Sequence, residues 1–223
     1  MNKVLVFARL DFSTIRVYLT VRTVLVFAAI AVVFGVTLGS TASQLGIFAA
    51  FGLIFSAYPF AISDKINLDM LYVTLGLSRR TVVRGRYVFG ELIILAGLLI
   101  GYLAGTVVEV IRNKQIDPMG LVGLLLVFVL SSLIQACQFP IQFKAGYAKA
   151  QLWTWLPLAV VGIPVVALPP LVGGERLAGM MTDVGAWMAG NLGLVIAALI
   201  LIWGGVVLGS YALSVRFYLR RDF

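Results

Sequence analysis

Six apolar runs, each close to a span in length, dominate the sequence: 21–39, 45–62, 88–110, 119–138, 151–172 and 189–212. A helix that crosses about 30 Å of hydrocarbon at about 1.5 Å per residue needs about 20 apolar residues. No water reaches the backbone in that layer, so each crossing segment must satisfy its own N–H and C=O groups as a helix. Six such spans use roughly 120 positions, and the remainder of the 223 residues serves two termini and five connections. No soluble catalytic domain fits in that remainder. With 61% hydrophobic and only 12% charged side chains, the chain cannot cover a globule with polar surface. The expected fold is therefore an all-α integral membrane protein, a single transmembrane domain over residues 1–223.

The first run reads as a retained span and not as a secretion signal. About twenty mixed residues precede it and another long apolar run follows at once, whereas a signal has a short apolar core and a small-residue cleavage site. The chain has no histidine and a single cysteine, Cys137, inside an apolar run. Histidine relays, histidine metal sites, thiolate clusters and intrachain disulfides are thereby excluded. Neither a G-x-x-x-x-G-K-[ST] loop nor a G-x-G-x-x-G turn occurs, so no nucleotide site is expected on this chain. The expectation is a non-enzyme without a bound cofactor or metal, any ATP being used by a partner.

Lysine and arginine fall almost wholly on one side of the alternating connections. Lys3, Arg9, Arg16 and Arg22, then Lys65, Arg79, Arg80, Arg84 and Arg86, then Lys144 and Lys149, then Arg216, Arg220 and Arg221 make 14 of the 17. Only Arg112, Lys114 and Arg176 lie opposite. The positive-inside rule then places both termini in the cytoplasm of a multi-pass inner (plasma) membrane protein. It also accounts for the net charge of +8 without nucleic acid.

At about 100° per residue, Leu5, Ala8, Phe12, Ile15 and Leu19 share a stripe, with Asn2, Arg9, Ser13 and Arg16 opposite. This reads as an amphipathic helix lying in the membrane interface; the alternative is the first turns of a long first span. The connection from Ser63 to Tyr87 is longer than two adjacent spans require. Asn67 can cap a short helix through Leu75, with Asp69 near its positive end and Gly76 suited to its left-handed end. Ser78 can cap a second helix carrying Arg79, Arg80, Arg84 and Arg86 into the third span. Leu68, Leu71, Tyr72 and Leu75 give the short helix an apolar face that packs on its own bundle, lies on the membrane or docks into a partner's groove.

The run from Asp64 to Tyr87 resembles the first cytoplasmic loop of small bacterial ABC-2-type permeases: a short helix, then Leu75-Gly76-Leu77-Ser78-Arg79, Thr81-Val82-Val83 and Arg86-Tyr87. Phe139-Pro140-Ile141-Gln142-Phe143-Lys144-Ala145-Gly146-Tyr147-Ala148-Lys149-Ala150 is similar to their second loop. Gly76 departs from the pattern, since relatives often carry proline after the leucine. The resemblance implies a permease without its own ATPase site, working as two permease chains, identical or related, with two separate ATP-binding-cassette subunits that hold ATP and magnesium. It implies that Leu68, Asp69, Leu71, Tyr72 and Leu75 form a cytoplasmic coupling helix between spans two and three. Lys144, Tyr147 and Lys149 would add a smaller contact, and Arg79 and Arg80 would meet acidic ATPase groups or lipid phosphates. The implied activity is export of an amphipathic peptide, antimicrobial or lipid-like molecule.

Several polar residues fall within the spans. Glu91, Ser131 and Gln135 are candidate transport-path residues, Glu91 lying one turn into the third span within reach of Arg84, Arg86 or water. Ser131, Ser132, Gln135 and Gln138 form a polar edge suited to interhelical hydrogen bonds. Glu109 reads as solvated near the outer end. Gly97, Gly101 and Gly105 form overlapping G-x-x-x-G units that read as tight packing within one bundle, with Gly35/Gly39 and Gly205/Gly209 elsewhere. Pro157 and Pro164 should bend the fifth span. The segment from Glu175 to Met188 reads as a short outer helix.

Two other classes compete. A substrate-capturing subunit of a vitamin importer has a similar size but needs a polar pocket near its outer face. An intramembrane enzyme needs a catalytic dyad that this sequence does not provide.

Overall fold

The computed structural model describes residues 3–16, 20–38, 40–66, 68, 72, 78–112, 120–150 and 174–220. These residues are helical with short turns between, and no strand occurs among them. The helices are α1 (Lys3–Arg16), α2 (Val21–Leu38), α3 (Thr41–Ile66), α4 (Arg79–Ile111), α5 (Gly120–Ala145), α6 (Gly174–Gly190) and α7 (Leu192–Leu219). Four of them, α3, α4, α5 and α7, are long and apolar enough to cross a membrane. A fifth crossing arises if Val6–Arg16 and Val21–Val33, inclined at 81°, count as one broken span. The expected span at 21–39 thus corresponds to an 18-residue helix, and the expected span at 151–172, with Pro157 and Pro164, lies outside the described residues.

The long helices run past the apolar runs that reveal them. α4 has 33 residues, about 50 Å at the usual rise, so its basic first turns project beyond the hydrocarbon. Ser78 starts it: extended at φ −67° and ψ 138°, its side chain accepts from the Thr81 amide at 3.2 Å. This satisfies one of the orphan donors of a helix N-terminus. α3 and α5 continue through Pro59 and Pro140 to Ile66 and Ala145.

α3 and α4 form the main interface, and the glycines explain it. A Cβ on Gly101 would lie 2.9 Å from the Phe48 Cβ, and one on Gly105 2.7 Å from the Thr41 Cα. On the facing helix, a Cβ on Gly52 would lie 2.9 Å from the Ile94 Cα. The repeated small residues therefore let two backbones touch inside the bundle, as the sequence suggested. Leu45, Ala49, Leu53, Ile94, Leu98 and Ile134 fill the level around this contact. α5 packs on α7, and α1 packs on α4, where Phe7 closes over Gly85.

α1 buries Ala8 and Ile15 of the expected stripe, but with Phe7 and Asp11 in place of Phe12. Phe7, Ala8, Asp11 and Ile15 are buried, while Phe12 is 48% exposed. The helix has apolar residues on two sides: Phe7 and Ile15 meet the bundle, and Val6, Leu10 and Phe12 face outward. The side chain of Leu5 and the whole of Leu19 lie outside the described residues.

Candidate functional site

Basic residues and aromatic rings gather at one end of the bundle. Phe7, Phe60, Tyr72, Val82, Val83, Tyr87, Phe139, Phe143 and Tyr218 form one buried cluster. They come from α1, α3, α4, α5, α7 and the connection between α3 and α4. Edge-to-face geometry recurs within it, as between Phe60 and Phe143 at 4.8 Å and between Phe143 and Tyr218 at 5.3 Å.

Within the expected coupling helix, Leu68 and Tyr72 are described, and both turn inward. Tyr72 is 2% exposed, its ring 5.0 Å from that of Phe7, and Leu68 packs on the same cluster. Of the choices open to that apolar face, packing on its own bundle holds at these two positions. Asn67, Asp69, Leu71, Leu75 and Gly76 lie outside the described residues.

Arg79 does not reach outward. Its Nη1 donates to the carbonyls of Tyr218 at 3.1 Å and Leu219 at 3.0 Å, satisfying acceptors at the negative end of α7. Arg80 and Lys149 are exposed. The Lys144 ammonium sits 5.3 Å from the Phe217 ring centre, a second tie from α5 to α7. Gly146, at φ 76°, ends α5 in the left-handed conformation that glycine tolerates. The chain becomes helical again at 147–150, where the Ala148 amide donates to Asp64 Oδ2 at 3.1 Å. Asp64 thus pins the second loop to the end of α3. Tyr147 packs against the aromatic cluster; burial, then the neighbouring Tyr58, push its phenol up.

Arg86 is buried at 2% exposure. It donates to Ser63 Oγ and lies 4.3 Å from the Phe60 ring centre and 5.7 Å from that of Phe143. It belongs to the aromatic end and not to Glu91, contrary to one option left open by the sequence. Glu91 instead faces α5 and α7: Trp203 Nε1 donates to Ser132 Oγ at 2.7 Å, and Ser132 Oγ donates to Glu91 Oε1 at 2.5 Å. Gln135 is fully buried against Gly90, and neither its amide nor its carbonyl has a hydrogen-bond partner among the described residues. Ser131 bonds the Val127 carbonyl of its own helix at 2.7 Å and does not join them.

One helical turn toward the basic end, the Tyr87 hydroxyl meets Ser210 Oγ at 2.5 Å and Ser214 Oγ at 2.8 Å. Ser210 donates onward to the Ala136 carbonyl. A polar seam therefore runs between α4, α5 and α7, from Tyr87 to Glu91, Ser132 and Trp203. Hydropathy alone does not mark Trp203, Ser210 and Ser214 as bonding groups. The i, i+4 spacing of Tyr87 with Glu91, and of Ser210 with Ser214, is the signal that marks this face.

The opposite end corrects another expectation. Glu109 is buried at 6% exposure, and its Oε1 accepts the Thr41 amide at 3.0 Å. The start of α3 has unpaired N–H groups and a partial positive charge, which a carboxylate satisfies better than solvent does. Gln44 Nε2 donates to the Ala31 carbonyl at 3.0 Å, tying α2 to α3.

No curated protein and no solved structure matches the chain. The family described as ABC-2 family transporter protein matches residues 10–219. That match takes in the second half of the N-terminal helix, the anchored connection, the polar seam and the last span, and on its extent the chain belongs to the ABC-2 family of membrane transport proteins.

Proposed function

We propose that this chain is the membrane-path subunit of an ATP-driven exporter of amphipathic molecules. ABC-2 permeases generally work with an ATPase subunit, and in this reading the ATPase is a separate cytosolic polypeptide that carries ATP and magnesium. A second permease chain, identical or related, completes the path. The observation that carries the reading is the fixed attachment of both loops at the basic end to the span core. Leu68 and Tyr72 enter the aromatic cluster, and Asp64 caps the turn after Gly146. A push on that end is then delivered to α3, α4, α5 and α7 together, because packed interiors transmit displacement.

Two packing arrangements of these helices would give alternating access. The polar seam is where they have groups to exchange: Glu91 and Gln135 offer hydrogen bonds to the polar part of a substrate, while the apolar spans accept its remainder. The basic end faces the cytoplasm in this scheme. The ATPase meets the outer faces of the two loops, with Asp69, Arg80 and Lys149 as its polar contacts. A vitamin-capturing subunit is disfavoured, because the cavity at the opposite end is lined by alkyl groups with one amide, Gln44, and one guanidinium, Arg112.

The test is co-purification from native membranes. The tagged chain should bring down a polypeptide that hydrolyses ATP. Arg80→Glu combined with Lys149→Glu should lower the recovered ATPase activity about tenfold, and exposed substitutions of this kind change folding by only about 0.5 kcal/mol. Recovery equal to wild type from the double variant would remove these loops from the contact. Absence of any ATPase with the wild-type chain would remove the exporter reading.

A further inference from the structure

Two neighbouring cavities along one side of α4 share Ile93 and Ala96 and together outline a groove. The first, about 460 Å³, lies between α1 and α4 and is lined by Ala8, Phe12, Phe89 and Leu92, with Arg9 as its one charged residue. The second, about 320 Å³, lies between α2, α3 and α4 and is walled by Phe27, Phe51 and Phe55. From Phe89 to Ile100 the groove follows α4 for about 17 Å at the helical rise, close to half of a 30 Å hydrocarbon layer.

We infer that this groove holds one acyl chain of an anionic phospholipid, with the headgroup at Arg9. Its length is that of one leaflet, its walls are apolar, and its mouth carries a single cation. Asp11, the nearest acid on α1, is turned into the protein and buried at 1% exposure, so it does not cancel that cation at the surface. Arg16, two turns along the same helix, is also exposed and adds to the field that attracts acidic headgroups. Phe12 is 48% exposed and Leu92 55% exposed, so an alkyl chain lying between them removes apolar surface at the groove's entrance. The bound lipid would seat α1 in the interface and fill the gap between it and α4. Assignment to the inner leaflet rests on the orientation proposed above; the binding itself does not.

The test uses the full chain purified in detergent, mixed with equal amounts of palmitoyl-oleoyl phosphatidylglycerol and phosphatidylcholine, with retained lipid counted by native mass spectrometry. The wild type should keep one phosphatidylglycerol over phosphatidylcholine by about fivefold, the weight of one cation beside an acidic headgroup. Ala96→Trp, which blocks the groove at its junction without entering the core, should lose that lipid while keeping its helical circular dichroism. Arg9→Gln should keep one lipid but lose the preference. Equal retention of the two lipids by the wild type, or undiminished phosphatidylglycerol on Ala96→Trp, would overturn the inference. So would an Ala96→Trp chain that changes its oligomeric mass and not its lipid count, since the groove would then receive a second copy. An amphipath other than phospholipid retained at this site would overturn it as well. The readout requires neither an ATPase nor a membrane orientation, so it can fail or succeed independently of the exporter reading.

Discussion

Truncating Tyr72 to alanine should destabilise the chain by about 3–5 kcal/mol, the range for deleting a buried aromatic ring. Tyr72 is 2% exposed in a cluster that contains side chains from five helices. Its ring centre lies 5.0 Å from that of Phe7 in an edge-to-face pair, and Phe7 in turn covers Gly85 on α4. The cavity left by the ring would border α1 and α4, and neither can close it without parting from the other's neighbours. At about 2–4 °C per kcal/mol for a chain of this size, the midpoint of thermal unfolding in detergent should fall by about 10 °C. Tyr72→Phe keeps the ring and should avoid most of that loss. Because the residue joins the connection to the span core, the alanine variant should also lose stimulation of a co-purified ATPase by substrate at temperatures where it remains folded. A midpoint within about 2 °C of wild type, less than 1 kcal/mol, would show that the connection is not anchored there.

Ser132→Ala has the second largest expected effect, although it removes one oxygen. Ser132 accepts from Trp203 and donates to Glu91, so its loss strands a donor and an acceptor together. A neutral interhelical hydrogen bond in a membrane averages about 0.6 kcal/mol, but a stranded buried group costs about 1–3 kcal/mol, more when charged. We expect about 2–3 kcal/mol for the single variant on these grounds. Glu91→Leu added to Ser132→Ala removes the stranded acceptor and should recover part of the loss, a coupling of about 1 kcal/mol in a double-mutant cycle. Additive losses in thermal unfolding would mean that the two residues act independently. In transport, the double variant should fold yet move substrate poorly, because the seam would have lost its acidic group.

Much of this arrangement was legible in the sequence, for identifiable reasons. A run long enough to cross hydrocarbon has few soluble alternatives, so α3, α4, α5 and α7 follow from length and composition. Ser78 marks the start of α4 because a serine before a basic helical stretch has one preferred use. Gly97, Gly101 and Gly105 read as close packing because the four-residue spacing puts them on one face. The interior partners of polar groups were less legible. Hydropathy ends a span where charge begins, yet α3 continues through Asp64 and Lys65 and α4 begins at Arg79, because a helix needs no hydrocarbon around it. Arg79 looks like a surface cation until the carbonyl end of α7 is beside it. Glu109 looks solvated until the first amide of α3 is placed against it. For α1, periodicity supplies a face but not the neighbour that selects between Phe7 and Phe12.

In the proposed function the connection between α3 and α4 lies on the side of the membrane where ATP is available. The most direct test of this places a cysteine at the exposed Arg80 position in a chain with Cys137→Ala, and treats intact cells with a membrane-impermeant maleimide. The account predicts that Arg80→Cys stays unlabelled until the cells are permeabilised and is then labelled fully. Labelling in intact cells would put this end outside, beyond the reach of a cytosolic ATPase, and would contradict the account.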